Sequence, residues 1–535
     1  DFLDSLQVSK NYMADQNLYI RERIFDMWIG DWNKTNENWE WQSHTVNDSV
    51  IYTPIVIDRN HAFTKVDGVL FKQMLKMLSL DFICNYDSLI LKDTKKINKL
   101  AFALDMAVAG RSDESVWIRQ AQEIRKQMTD SLIDSAFTYL PEGVKHDEIE
   151  LIKRKLKRRR LELEAVASQY YRLLQRTPVV AGTNQSDYFL IERQAPDRTV
   201  LRIYDPETGD CRLEQQFSGK KTKELWLYGL AGNDTFEVRG NTRKGFPIYL
   251  ISGEGENQYQ LNHNRKIHVY DKDYKYDYQK IKYHKISFTP WGIYDSDKGI
   301  SLGTFFTYTM YGFKRAPFTY QHRIGYNYLK GFMYAGIFPN YDGRRRLYLN
   351  ASISSPRNFE NFFGFGNNTA GYKEEKKNYN RVKLRTYMLN PSFEMDLRKE
   401  EVVTFFSSLD MYKGKRTDDR YIYTVYGEDH PIFRTNYFVG LGATYRITKQ
   451  PYSWLPLLET EWTAGWKMNL KKPERNFPYA QGSLSWNVRF SDRFTWASLM
   501  KGTVLFDNDY EFYQAATIDL RGFRDNRFIG KQSFY

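Results

Sequence analysis

The sequence predicts a multidomain protein: a mainly α-helical amino-terminal region, an all-β middle domain and a carboxy-terminal transmembrane antiparallel β-barrel. Three observations predict it. Apolar residues recur at helical spacing up to about residue 175, the period changes to two from about Thr177, and from about Lys275 the strands lengthen and acquire one aromatic-rich and one polar face. The domains read as 1–176, 177–275 and 276–535.

Composition fits that class. Aromatic residues reach 16% of the 535 residues, with 40 Tyr, 35 Phe and 12 Trp, yet mean hydropathy is only -0.64. No stretch approaches the roughly 18 continuous apolar residues of a spanning helix; the best, 100–109, contains Asp105. A barrel escapes this requirement, because only alternate residues face lipid. The net charge of +13 is spread over 78 basic and 65 acidic residues without a basic reading module, so nucleic acid is not expected as a partner. Cys84 and Cys211 lie far apart and have no CxxC spacing, which supports neither a zinc site nor a disulfide framework. The chain opens on Asp1 rather than Met, and a signal peptide and upstream domains are expected before it.

In the amino-terminal region, 146–175 reads as one helix. Ile149, Ile152, Leu156, Leu163, Val166, Tyr170 and Leu173 make its apolar stripe, and Arg159 fills the one missing position. The basic run 153–160, bracketed by Glu148, Glu150, Glu162 and Glu164, is a solvated face or, alternatively, a surface for anionic lipid or a partner.

In the middle region, strands such as 199–204 and 224–228 are separated by turn clusters such as 206–210. Residues 229–236 and 253–259 are two copies of one turn-and-strand pattern, similar to the glycine-and-aspartate repeats of calcium-binding β-rolls. Calcium in such rolls sits between stacked turns, so Asn233 and Asp234 are the candidate ligands. The second copy has Asn257 where an aspartate is expected, which favours structural turns without calcium.

The last region alternates over long runs. Leu484, Trp486, Val488 and Phe490 face one way and Ser483, Ser485, Asn487 and Arg489 the other. Trp462 to Leu470, Tyr437 to Ile447 and Leu347 to Ile353 repeat the division. Strands of roughly ten residues with an aromatic outer face mark a membrane barrel, whereas globular strands are about five or six residues long. About ten such strands are expected between Gly299 and Asp507.

Arg521-Gly522-Phe523, with the following Gly530, resembles the loop that folds into the lumen in the BamA/TamA surface-antigen superfamily of outer-membrane barrels. Residues 296–303 resemble that family's opening strand, and 361–367 a loop of similar chains. The resemblance implies about 16 strands in the parent protein, of which about 10–11 are present here, so the barrel is expected to be carboxy-terminally incomplete. It also implies a bacterial outer-membrane location, with lipid and other outer-membrane proteins or an assembly complex as partners.

A second resemblance covers residues 30–39 and 54–63, which look like the catalytic and metal-binding loops of HipA-like and related atypical kinases. By that resemblance Asn38 and Asp58 would hold a divalent metal, and Asn33 occupies the base position. An amide cannot accept a proton as a carboxylate does. Asp31 is the alternative base, since Asp31 and Asn36 satisfy the spacing of the protein-kinase catalytic loop. A degenerate kinase-like scaffold, an active phosphotransferase and a coincidental match all remain open.

Chains with this order of regions also resemble outer-membrane proteins with an upstream metallophosphoesterase domain, whose GDxHG and GNH motifs do not occur here. The expected function is therefore assembly or export of outer-membrane proteins, with no catalysis by these residues. A barrel-anchored metallophosphoesterase is the alternative and a passive channel the third.

Overall fold

The computed structural model describes residues 2–66, 68–77, 80–141, 143, 146–195, 197–240, 245–261, 266–270, 276–282, 284–295, 298–312, 315, 317–340, 343–367, 378–417, 419–449, 458–491, 494–518 and 523–535. The chain divides into two units, 1–283 and 284–535.

In the first unit, helix Gln16–Ile29 starts at Asp15, whose carboxylate accepts the Leu18 N–H at 3.0 Å, and stops at Gly30, whose φ of 79° suits glycine. The stretch expected as one helix is two, His146–Arg160 and Leu163–Leu174. Polar demands divide it. Glu162 is drawn aside to accept the Ile90 N–H at 2.9 Å, while the Trp28 indole donates to the Leu156 carbonyl at 2.9 Å.

Arg159, in the basic run, is buried rather than solvated. It donates to the Met27 and Trp28 carbonyls at 2.6 and 2.7 Å, capping the end of Gln16–Ile29 with a cation, and lies 4.3 Å over the Tyr86 ring. A hairpin, Trp39–Val46 with Ser49–Val56, interrupts the helices. It turns at Asn47 and Asp48, both at positive φ, as a two-residue hairpin turn requires.

The described residues between 179 and 270 wind as rungs of a solenoid. Val179–Ala181, Leu225–Tyr228, Ile248–Ile251 and Ile267–Tyr270 pair in parallel as one sheet. Tyr188–Ala195, Thr235–Arg239 and Gln258–Leu261 pair in parallel as a second, which Arg198–Tyr204 and Cys211–Ser218 extend antiparallel. Each rung crosses from the first sheet to the second through one turn, so neighbouring strands are parallel without helical crossovers. Val180, Phe189, Leu225, Leu227, Phe236, Ile248 and Leu250 fill the interior. Phe189, Phe236 and Tyr259 stack from equivalent positions of successive rungs, with centroids 4.6 and 5.7 Å apart.

Among its described residues the second unit is built on a 13-stranded sheet. Between Gly299 and Asp507 it has ten strands of eight residues or more, from Gly299–Met310 to Phe494–Leu505, as the alternation predicts, plus the three-residue Phe359–Asn361. Lys285–Asp295 precedes them as an edge strand, paired among the described residues only with Gly299–Met310, so the strand that starts at Gly299 is second in the sheet rather than its opening strand. Pro290 masks this strand in the sequence; an edge position tolerates it. Gln532–Phe534 ends the sheet by pairing with Phe494–Leu505. Among the described residues the two end strands do not pair with each other, and no closed barrel is seen.

Its polarity is inverted. Leu302 and Phe306 on one face are 64% and 55% exposed, whereas Thr307 and Asp410 on the other are 7% and 5% exposed. The cross-strand register Phe306–Ile324, Ile353–Tyr387, Leu389–Leu409 and Leu441–Trp466 carries the apolar face across the sheet.

Candidate functional site

The chain leaves helix Gln16–Ile29 at Gly30 and enters a buried charge network. Arg23 donates to Asp105 at 2.8 Å and to Asn98 at 2.7 Å, and pairs with Asp26 at 3.2 Å; the Tyr19 and Tyr170 hydroxyls complete the Asp105 carboxylate at 2.7 and 2.5 Å. Lys34, fully buried, lies 2.5 Å from Asp31 and 3.8 Å from Asp26 and donates to the Asp58 carbonyl. Arg59 binds Asp26 at 2.9 Å and Glu22. Burial pushes the Asp26 carboxyl up to about 6 against the pull of Arg23, Lys34 and Arg59.

The candidate ligands are spent locally. Asn38 accepts the Thr35 N–H at 2.8 Å and hydroxyl at 3.1 Å, Asp58 accepts the Asn60 N–H at 2.8 Å, and Asp31 accepts the Asn33 N–H at 3.2 Å. Lys34 thus joins Asp31 to the backbone of Asp58, while the Asn38 amide and the Asp58 carboxylate each close a turn. An amine between the acidic groups neutralises them where a cation would sit. Among the described residues no three or more His, Cys, Asp and Glu side chains cluster as a metal site.

The glycine-and-aspartate turns form a ladder of three rungs, one more than the sequence pattern reveals. Asp187, Asp234 and Asn257 occupy equivalent turns: Asp234 accepts the Asp187 N–H at 2.9 Å, and Asn257 accepts the Asp234 N–H at 2.9 Å. Asn233 accepts the Glu256 N–H at 2.9 Å. The turn over 182–187 escaped notice because only Gly182 and Asp187 of the pattern survive there. Asp234 is fully buried, its Oδ2 has no partner among the described residues, and burial pushes its carboxyl up to about 8. A Cβ on Gly229 would collide with that oxygen and with the Ser252 carbonyl, so the turn needs glycine.

Arg521 and Gly522 lie outside the described residues. Phe523 is exposed and meets Phe528 at 5.3 Å, and Gly530 ends strand Phe528–Gly530, which pairs with Ala516–Ile518. This segment meets the other loop that the sequence singles out. Gly366 bridges Ile529, Asn361 donates to the Asp525 carbonyl at 3.2 Å, and Arg527 lies 4.8 Å over the Phe363 ring. Sequence reading missed the ion pairs of the polar face, Arg346 with Glu394 at 2.8 Å and Lys467 with Asp410 at 2.9 Å. Their signal was opposite charges at polar-face positions of long strands.

No family model matches the chain, and no curated protein matches it significantly. Among solved structures, the crystal structure of BamA from Haemophilus ducreyi lacking POTRA domains 1–3 is similar at TM-score 0.32 and 12% identity, over 48% of this chain and 46% of that chain. The match spans less than half of either chain.

Proposed function

We propose that this chain is a bacterial outer-membrane β-barrel protein with soluble accessory domains, and that it contributes to assembly or export of other outer-membrane proteins. The inverted polarity of the 13-stranded sheet carries the reading. A soluble protein rarely exposes an apolar surface of that extent; lipid is the solvent it fits, with strands as the spanning elements.

The connections support an orientation. One end of the sheet carries the three longest, 355–380, 415–435 and 506–531; the other carries short ones such as 399–400. Bacterial barrels have short periplasmic turns and longer extracellular loops. Lys285–Asp295 starts at the short-turn end, so the segment leading into it is periplasmic in this reading. An unpaired edge strand offers N–H and C=O groups to an incoming strand, a physical basis for assisting other barrels. The resemblance of Arg521-Gly522-Phe523 to a lumen loop supports the same family. Residues 1–176 and 177–275 serve as accessory domains, with Asp31 and Asp58 in structural roles.

Purified in detergent, the protein should migrate differently on gels before and after heating, and its depletion should lower the levels of other outer-membrane barrels. Solubility without detergent overturns the membrane assignment. Normal levels of other barrels overturn the assembly role.

A further inference from the structure

A cavity of about 580 Å³ in the first unit is lined by the start of helix Gln16–Ile29, the end of Phe102–Ala109, the first rung of the solenoid and Arg212. Its volume lies within the roughly 300–1,000 Å³ of small-molecule sites. Neither the charge network around Lys34 nor the membrane sheet uses it.

Two guanidinium groups line this cavity. Arg111 donates to the Ala181 carbonyl and has no carboxylate partner among the described residues. Arg212 pairs with Asp205, but its Nη1 is buried without an acceptor among the described residues. Asp205 is also paired with Lys10, so one carboxylate answers two cations. Asp15, the acidic residue of the lining, is engaged with the Leu18 N–H at 3.0 Å. Asp187 also lies near both guanidinium groups, but its carboxylate is engaged by the Thr183 N–H and hydroxyl at 2.6 and 3.0 Å, so it is free N–H donors rather than a surplus of positive charge that mark the cavity. Burial pushes both guanidinium groups below their usual range, although arginine stays charged at any ordinary pH.

A buried guanidinium N–H without an acceptor is costly, and an anion entering beside it recovers that cost. Guanidinium forks match planar or tetrahedral oxyanions with paired N–H groups. Leu6, Val108, Leu213 and Tyr276 give the remaining wall an apolar patch, beside polar Gln7, Asn17 and His44. We propose that this cavity binds a small organic oxyanion, a phosphate- or carboxylate-bearing molecule whose apolar body packs on that wall and whose charged group meets Arg111 and Arg212.

Calorimetric titration of the full chain in detergent tests this with phenyl phosphate, benzoate, inorganic phosphate and, as the neutral control, phenol. Phenyl phosphate or benzoate should saturate a single site that phenol does not fill. The tighter of the two identifies the charged group. Arg111→Ala should weaken binding about tenfold or more, the size of one lost charge-assisted pair. Arg111→Lys should retain part of the affinity, because the charge stays while the fork is lost. Should Arg111→Ala not fold, Arg212→Gln is expected to show the same weakening. Absence of saturation by either organic anion at millimolar concentration, or unchanged affinity in both arginine variants, overturns the proposal. Inorganic phosphate binding as tightly as phenyl phosphate overturns the role of the apolar wall.

Discussion

The solenoid and the 13-stranded sheet share a period of two and bury opposite faces. In the rungs the alternate apolar residues point inward, and Leu227 is fully buried; in the sheet they point outward, and Trp462 is 58% exposed. Two other features separate the regions. The parallel solenoid strands run from three to eight residues, whereas the main sheet strands run from eight to eighteen. The polar face of the sheet, moreover, closes on itself through Arg346–Glu394 and Lys467–Asp410 pairs. Alternation shows that a strand has two faces. Strand length and the chemistry of the polar face tell which solvent the apolar one meets.

Phe236→Ala is the strongest way to break that comparison. It removes a fully buried ring stacked between Phe189 and Tyr259, at a cost of about 3–5 kcal/mol. Hydrogen exchange in detergent should accelerate across 225–261 and stay unchanged across 436–469; equal acceleration in both would mean that the two regions are one cooperative unit. Leu441→Arg puts a charge on the opposite kind of surface. Near the bilayer midplane that costs about 2–4 kcal/mol, so folding yield into lipid vesicles should drop while exchange in the solenoid is unaffected. Undiminished yield would remove Leu441 from the lipid face.

The same contrast explains what the sequence could disclose. The ten long strands were legible because each repeats its alternation over a membrane-length run, but Lys285–Asp295 was hidden by Pro290. The hairpin at 39–56 was hidden because most of its first strand is exposed, leaving no apolar face to detect. Parallel rungs leave no local signature, since Leu225 meets Ile248 only after a full circuit. At the candidate site the residue types of the loops were visible. That Lys34 lies between Asp31 and Asp26 depends on how the loop folds back on helix Gln16–Ile29, and spacing alone does not encode that.

The smallest effect concerns the turn ladder. The Asp234 carboxyl is pushed up to about 8 by burial, then by the nearby Asp187 charge, against the Asp187 N–H that lowers it. In an unfolded chain an aspartate titrates near 4. Between those values the folded state holds a proton that the unfolded state has released. Stability from this group is therefore complete below about pH 4, falls as pH rises, and is lost by about pH 8. Asp234→Asn keeps an oxygen for the Asp187 N–H and supplies N–H donors beside the Ser252 carbonyl, as a side chain that never ionises. Asn257 already fills the equivalent position of the next rung. The variant should match the parent at pH 4 and exceed it by about 1–3 kcal/mol at pH 8, the cost of one unsatisfied buried polar group. Urea unfolding followed by hydrogen exchange in the solenoid would measure it. A gain at pH 4 as large as that at pH 8 would show that packing, not ionisation, limits the ladder. Loss of stability at both would mean that the Asp234 carboxylate is held by a cation, and would bring the turn back towards the calcium-binding rolls that its sequence resembles.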